Sequence, residues 1–288
     1  MTARPRRWLV STEWLAANLA SPDVVILDGS MHLPTSGRDA KAEYAAGHIP
    51  GAQRFDIDAV SDKSDPLPHM LPSAEQFASQ VGAMGISNST HVVAYDSEGL
   101  YSAGRVWWMF RVFGHDNVAV LDGGLKKWKA EARALTDTAT LPRQPARFTA
   151  KLRPELVRNR DDVRGVIGDA QVQIVDARAA NRFEGSVPEP RKGLRSGHIP
   201  TARNIPFQLL LGADGTLKPA NALASEFKAA GVDIDRPVVA SCGSGVTAGV
   251  IAIALAELGR PDNAVYDGSW TEWGGDPALP IETGKAQS

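Results

Sequence analysis

A chain of 288 residues exceeds the usual single-domain range and predicts two units of about 130 to 150 residues, each with its own core. Hydrophobic residues at 43% and charged residues at 22% exclude a disordered or fibrous protein. With 31 basic residues against 33 acidic ones the net charge is −2, and no long like-charge run marks a nucleic-acid or membrane partner. The single cysteine, Cys242, cannot form an intramolecular disulfide, so a reducing compartment, the cytoplasm, is expected. The start, MTARPRRWLV, is basic but is followed by no apolar run of signal-peptide length, and no stretch of 18 apolar residues suggests a membrane span.

One plan is written twice along the chain. Val24–Asp28 (VVILD) is the first apolar run ending in aspartate, the pattern of a buried parallel strand that stops at a loop. GHIP follows at Gly47–Pro50, then a second apolar run, HVVAYD, ending at Asp96. A helix-like stretch, YSAGRVWWMFRVFG, closes on Gly114, which suits a C-terminal cap, and NVAVLDGGLKKW ends at Trp128. The second copy repeats the order with QIVD at Gln173–Asp176, GHIP at Gly197–Pro200, PVVASC ending at Cys242, TAGVIAIALAELG ending at Gly259, and NAVYDGSWTEW ending at Trp273. Strands alternating with helices at this spacing predict an α/β fold of two tandem domains, each a mainly parallel sheet flanked by helices. The expected divisions are 1–137, a connecting segment at 138–153 rich in Pro, Thr and Ala, and 154–288. Residues shared by both copies inform the fold: His48 and His198 shape the turn before a proline, and Trp107, Trp108, Trp128, Trp270 and Trp273 pack. No histidine or cysteine stands at metal-ligand spacing.

Where the copies differ, chemistry enters. Cys242 ends a strand and is followed by Gly243, Ser244, Gly245, Val246 and Thr247 before a helix, whereas the first copy has Asp96 at the matching place. Gly243 and Gly245 bring backbone N–H groups toward the loop centre and form an anion-binding nest. The helix start adds free donors and a positive dipole end, which favours a thiolate at Cys242. The bland alternative is a small buried core cysteine. Gly243–Ala248 also fits G-x-G-x-x-A, with Asp267 ending the next strand, but only about 20 residues follow, too few for the rest of a dinucleotide-binding fold. A cysteine phosphatase needs an arginine where Ala248 stands.

With its doubled GHIP, doubled DG…W and the loop CGSGVT at Cys242–Thr247, the chain resembles the rhodanese superfamily over nearly its whole length, and specifically its tandem-domain 3-mercaptopyruvate-using members. That resemblance implies an inactive first domain and an enzyme whose Cys242 accepts sulfur from a small-molecule donor and passes it to cyanide or to a thiol acceptor, a thioredoxin-like protein or a low-molecular-weight thiol. It implies no cofactor and no metal. Arg182 (in NRFEG) and Arg191 (in PEPR) match the pair that binds the substrate carboxylate and keto oxygen; read without the resemblance they are solvated loop charges. Ser244, His69 (in PHMLP) and Asp58 (in FDID) match a Ser-His-Asp relay across the domain interface. The loop residues Gly243, Gly245, Val246 and Thr247 would line the substrate site. Thiosulfate-preferring relatives carry basic residues where Gly243 and Ser244 stand here; thiosulfate use and a non-catalytic persulfide carrier are the rival readings.

Overall fold

A computed structural model describes residues 6–286. The first five residues of the basic start, Met1–Pro5, lie outside the described part. Among the described residues ten strands form two five-stranded, all-parallel sheets. The first comprises β1 (Leu9–Val10), β2 (Val24–Asp28), β3 (Gln53–Arg54), β4 (His91–Tyr95) and β5 (Val118–Leu121), in the spatial order β1-β5-β4-β2-β3. The second comprises β6 (Val157–Arg158), β7 (Gln173–Asp176), β8 (Arg203–Asn204), β9 (Val238–Ser241) and β10 (Ala264–Tyr266), in the order β6-β10-β9-β7-β8. The two orders are the same under the duplication. The central strands β4 and β9 are covered on both faces, and VVAY and VVAS are accordingly buried without alternation.

The recurring residues have structural work in both halves. His48 Nδ1 lies 2.8 Å from Tyr44 O with its ring stacked on Tyr44, and His198 Nδ1 lies 2.9 Å from Phe183 O with its ring stacked on Phe183. Each also makes an antiparallel bridge that ties down the tail of its own half, to Thr136 and to Glu282. Trp128 and Trp273 are buried, and each indole Nε1–H donates to a carbonyl at 2.8 Å, of Ala134 and of Pro280. Residues 138–153 form no helix or strand; they run against the first half, where Phe148 packs edge-on against Phe77 and Arg153 N–H donates to Val112 O at 2.7 Å. No helix among the described residues is long and apolar enough to cross a membrane.

The halves meet through the helices Ala103–Val112 and Ala248–Glu257, which follow β4 and β9. Every residue of the first helix, and all but the last of the second, is buried, so these are interior helices without an amphipathic face. They cross at Gly104 and Gly249, where a Cβ on Gly104 would lie 2.8 Å from Gly249 C and a Cβ on Gly249 2.5 Å from Gly104 C. Two glycines at one crossing let the backbones touch. The crossing therefore sets the loops just before both helices side by side at the domain interface.

Candidate active site

Cys242 directly follows β9 at the carboxyl end of the central strand. The chain leaves β7 toward β8 on one side and returns as β9 on the other, so the crevice beyond β7 and β9 is a topological switch point, where open α/β sheets bind ligands. Cys242 is only 2% exposed and packs with the core on one side, and it also lines a cleft of about 230 Å³. Its backbone is clipped from behind by the turn after β10. Cys242 N–H donates to Ser269 Oγ at 3.2 Å, and Cys242 O accepts from Trp270 N–H at 3.0 Å. Gly243 O accepts from both Thr271 N–H (2.8 Å) and Thr271 Oγ1 (2.6 Å). Ser269 holds its position with φ of 49°, a left-handed conformation that non-glycine residues adopt at a cost.

The first half shows what this loop geometry does to a negative group. Asp96, at the end of β4, is buried, and five backbone N–H groups converge on its carboxylate: Glu98 (2.9 Å) and Gly99 (3.0 Å) on Oδ1, and Tyr101 (2.7 Å), Ser102 (2.8 Å) and Ala103 (2.8 Å) on Oδ2. Burial pushes this carboxyl up, and those N–H donors act against it. A loop between a central strand and a helix start is thus an anion cradle in this fold. In the second half the loop is one residue shorter and begins with Cys242 where the first begins with Asp96.

Of the loop, Gly243, Ser244, Val246 and Thr247 line the cleft. Gly245 is turned inward instead. Its φ is +73°, and a Cβ would lie 2.7 Å from Asp267 O and 2.9 Å from Arg105 Nη1, so glycine is required for close packing behind the loop. Arg182 and Arg191 both reach the cleft. Arg182 is held by Glu189, through Nη2 to Oε2 at 2.5 Å and Nε to Oε1 at 3.2 Å, and comes so near the loop that a Cβ on Gly243 would be 3.0 Å from Nη2. Glu189 is fixed in turn by the buried Arg178, which also pairs with Asp176 at 2.7 Å. Arg178 and Arg182 thus share two carboxylates, Asp176 and Glu189, while Arg191 turns to the His69 ring.

His69 and Asp58 meet, with His69 Nδ1 2.6 Å from Asp58 Oδ1, and this bond holds the Asp58 carboxyl below its usual range. The third link of the expected relay is different. His69 Nε2 faces Arg191 Nη2 at 3.1 Å, and among the described residues no hydrogen bond joins it to Ser244, which stays in the cleft wall. Because guanidinium only donates, Nε2 accepts and the proton sits on Nδ1, facing Asp58.

Four contributors were not singled out as site residues from the sequence: Tyr101, Glu189, Ser269 and Thr271. Tyr101 belongs to the first half's loop but stands in the cleft, edge-on to Phe207 at 5.5 Å. Burial first, and then negative charge at Cys242, push its phenol up to about 12, while Arg182 and Arg191 oppose the shift. The only signal for it was position, since it lies in the first-copy counterpart of the cysteine loop.

Taken together, fold and cleft define a class: a duplicated α/β protein in which one half presents a cysteine from a strand-to-helix loop and the other half supplies part of the wall around it. The Rhodanese-like domain model matches residues 11–131 and again 159–276, and the chain belongs to the rhodanese family. It is 46% identical over 273 residues to the 3-mercaptopyruvate sulfurtransferase of Rattus norvegicus, covering 93% of this chain and 92% of that one. It is 44% identical over 300 residues to the mitochondrial thiosulfate/3-mercaptopyruvate sulfurtransferase 1 of Arabidopsis thaliana, covering 97% and 79%. The crystal structure of SseA from Escherichia coli, described as a 3-mercaptopyruvate sulfotransferase, aligns with a TM-score of 0.83 at 42% identity, over 91% of this chain and 98% of that one.

Proposed function

We propose that the protein is a 3-mercaptopyruvate sulfurtransferase in which Cys242 carries the sulfur as a persulfide. The observation that carries this reading is the place of Cys242 in the lining of a cleft that also holds two guanidiniums, Arg182 and Arg191, suited to an α-keto carboxylate. Relatives named for this activity at 44–46% identity support it. The Cys242 thiolate attacks the donor sulfur; an S–S bond forms, the C–S bond breaks, and its electron pair stays on carbon as the enolate of pyruvate, which takes up a proton at the carbon that lost sulfur. Arg182 and Arg191 bind the carboxylate and keto oxygen and stabilise the charge that develops on that oxygen. Drawing Arg191 onto substrate frees His69 Nε2, which accepts the donor thiol proton directly or through Ser244 Oγ and returns it to the carbon, while Asp58 stabilises the imidazolium. The loop amides then hold the anionic persulfide as those of the first half hold Asp96. A second thiol, on a thioredoxin-like protein or a small molecule, or cyanide, takes the outer sulfur.

In this reading residues 154–288 carry the sulfur on Cys242, 1–137 have no nucleophile of their own but complete the cleft and lend it His69 and Asp58, and 138–153 connect them. A reducing compartment such as the cytoplasm fits a thiol that has to remain free. Mass spectrometry after incubation with 3-mercaptopyruvate should find one extra sulfur on the Cys242 peptide together with released pyruvate, and Cys242→Ser should release none. An unmodified peptide refutes the reading. Kinetics with thiosulfate in parallel decide the donor: a thiosulfate preference would replace mercaptopyruvate in the scheme.

A further inference from the structure

Arg105 and Asp267 form a buried ion pair that the sulfur-transfer scheme above does not use. Arg105 lies on the helix Ala103–Val112 of the first half, next to the Gly104 crossing, and is 0% exposed. Its Nη1 donates to Asp267 Oδ1 at 2.6 Å and to Gly245 O, in the cysteine loop, at 3.3 Å; its Nη2 donates to His69 O. The guanidinium also packs over the Trp108 ring, 4.5 Å from its centre. Asp267, just after β10 in the second half, uses its other oxygen to accept from Leu71 N–H at 2.8 Å. The pair thus grips both sides of Met70, at the carbonyl before it and the amide after it, and holds the cysteine loop with the same guanidinium.

A buried ion pair is a poor route to stability alone, because desolvation offsets much of the attraction and an apolar pair of the same volume does as well or better. What this one fixes is specific. His69 is held at a φ of 65°, a left-handed conformation that costs about 1 to 3 kcal/mol for a residue other than glycine and persists only where its surroundings enforce it. From that backbone the imidazole reaches Asp58 with one nitrogen and Arg191 with the other. A planar fork can serve carbonyls in both halves and a carboxylate at once, whereas a lysine ammonium on its single stem cannot span all three.

We propose that Arg105, with Asp267 as its counter-charge, is a positioning residue for sulfur transfer, setting the His69 imidazole of one half against the Cys242 loop of the other. It rests on the sulfur-transfer reading for what is positioned. Arg105→Lys and Asp267→Asn keep the buried volume nearly constant. The rate of pyruvate release is measured per mole of Cys242 thiol, in the wild-type background and in a His69→Ala background. Each substitution should lower the rate roughly 10- to 100-fold where His69 is present and less than about 3-fold where it is absent, the non-additivity expected of residues acting as one unit. Equal losses in both backgrounds, or wild-type rates, would overturn the proposal. A second readout needs no turnover. The His69 ring resonances, identified by their loss in His69→Ala, should move in Arg105→Lys and stay in place in the surface control Arg164→Lys; unmoved resonances in Arg105→Lys would also overturn it. Should the wild-type protein release no pyruvate, the functional reading fails, while the resonances still decide whether Arg105 sets the imidazole.

Discussion

Alanine at Gly249 would place a methyl group inside the backbone of the opposing helix. Its Cβ would lie 2.5 Å from Gly104 C and 2.7 Å from both Gly104 O and Arg105 N, whereas ordinary contact begins at 3.4 Å. The helices would have to part by roughly 0.7 to 0.9 Å, and backbone cannot rotate away as a side chain can. Overpacking of this kind costs about 1 to 3 kcal/mol, against a gain of at most about 1 kcal/mol from replacing glycine in a helix. The expected net loss is about 1 to 2 kcal/mol, read as a lower urea midpoint at unchanged slope. Gly165, at the end of the helix Arg160–Gly165, is the control, because a methyl group added there meets nothing within 4 Å: Gly165→Ala should be neutral or stabilising by up to about 1 kcal/mol. Gly104→Ala should resemble Gly249→Ala, and the double variant should lose less than the sum, because one parting of the helices relieves both clashes. If Gly249→Ala matched the wild-type midpoint while Gly165→Ala did not differ from it, the glycine contact would not be what sets the distance between the halves.

Three further outcomes follow from the site. Asp96→Asn turns an NH₂ group toward backbone N–H donors in a buried cradle and should cost about 3 kcal/mol in urea unfolding; a loss under about 0.5 kcal/mol would show that the first loop does not hold an anion. Glu189→Gln removes the charge that orients Arg182 and should raise the KM for 3-mercaptopyruvate more than it lowers kcat, while an effect on kcat alone would place Glu189 in the chemical step. The Tyr101 phenol ionises near 10.0 unfolded and at about 12 folded, so the unfolded chain loses its proton first and this group's contribution makes stability fall as pH rises across that window. Alkylating Cys242 with a neutral reagent removes the negative charge beside Tyr101 and should shift its ionisation to lower pH in an ultraviolet titration, with Tyr101→Phe identifying the signal. A shift to higher pH would contradict the placement of the two groups.

The sequence carried the plan of the fold because that plan is local. Unbroken apolar runs such as VVILD and VVAS, glycines after helices and the doubled GHIP and DG…W segments each report on a few neighbouring residues, and the duplication allowed one half to be read against the other. The order of the Cys242 loop was legible for the same reason, since strand, cysteine, glycines and helix start are consecutive. Arg182, Arg191, His69 and Asp58 came from a family resemblance, and the chain's own physics gave no reason to separate them from solvated loop residues.

Docking of the halves decided the rest. His69 turned to Arg191, 122 positions away, and Arg105 reached Gly245 and Asp267 across 140 and 162 positions. Tyr101 entered a cleft whose cysteine belongs to the other half, and Gly245 turned from the cleft toward Arg105. Contacts of this range depend on the distance and angle at which two helices cross. Periodicity and loop composition say what each helix is, and the glycine pair at Gly104 and Gly249 fixes where they meet only once both backbones are in place.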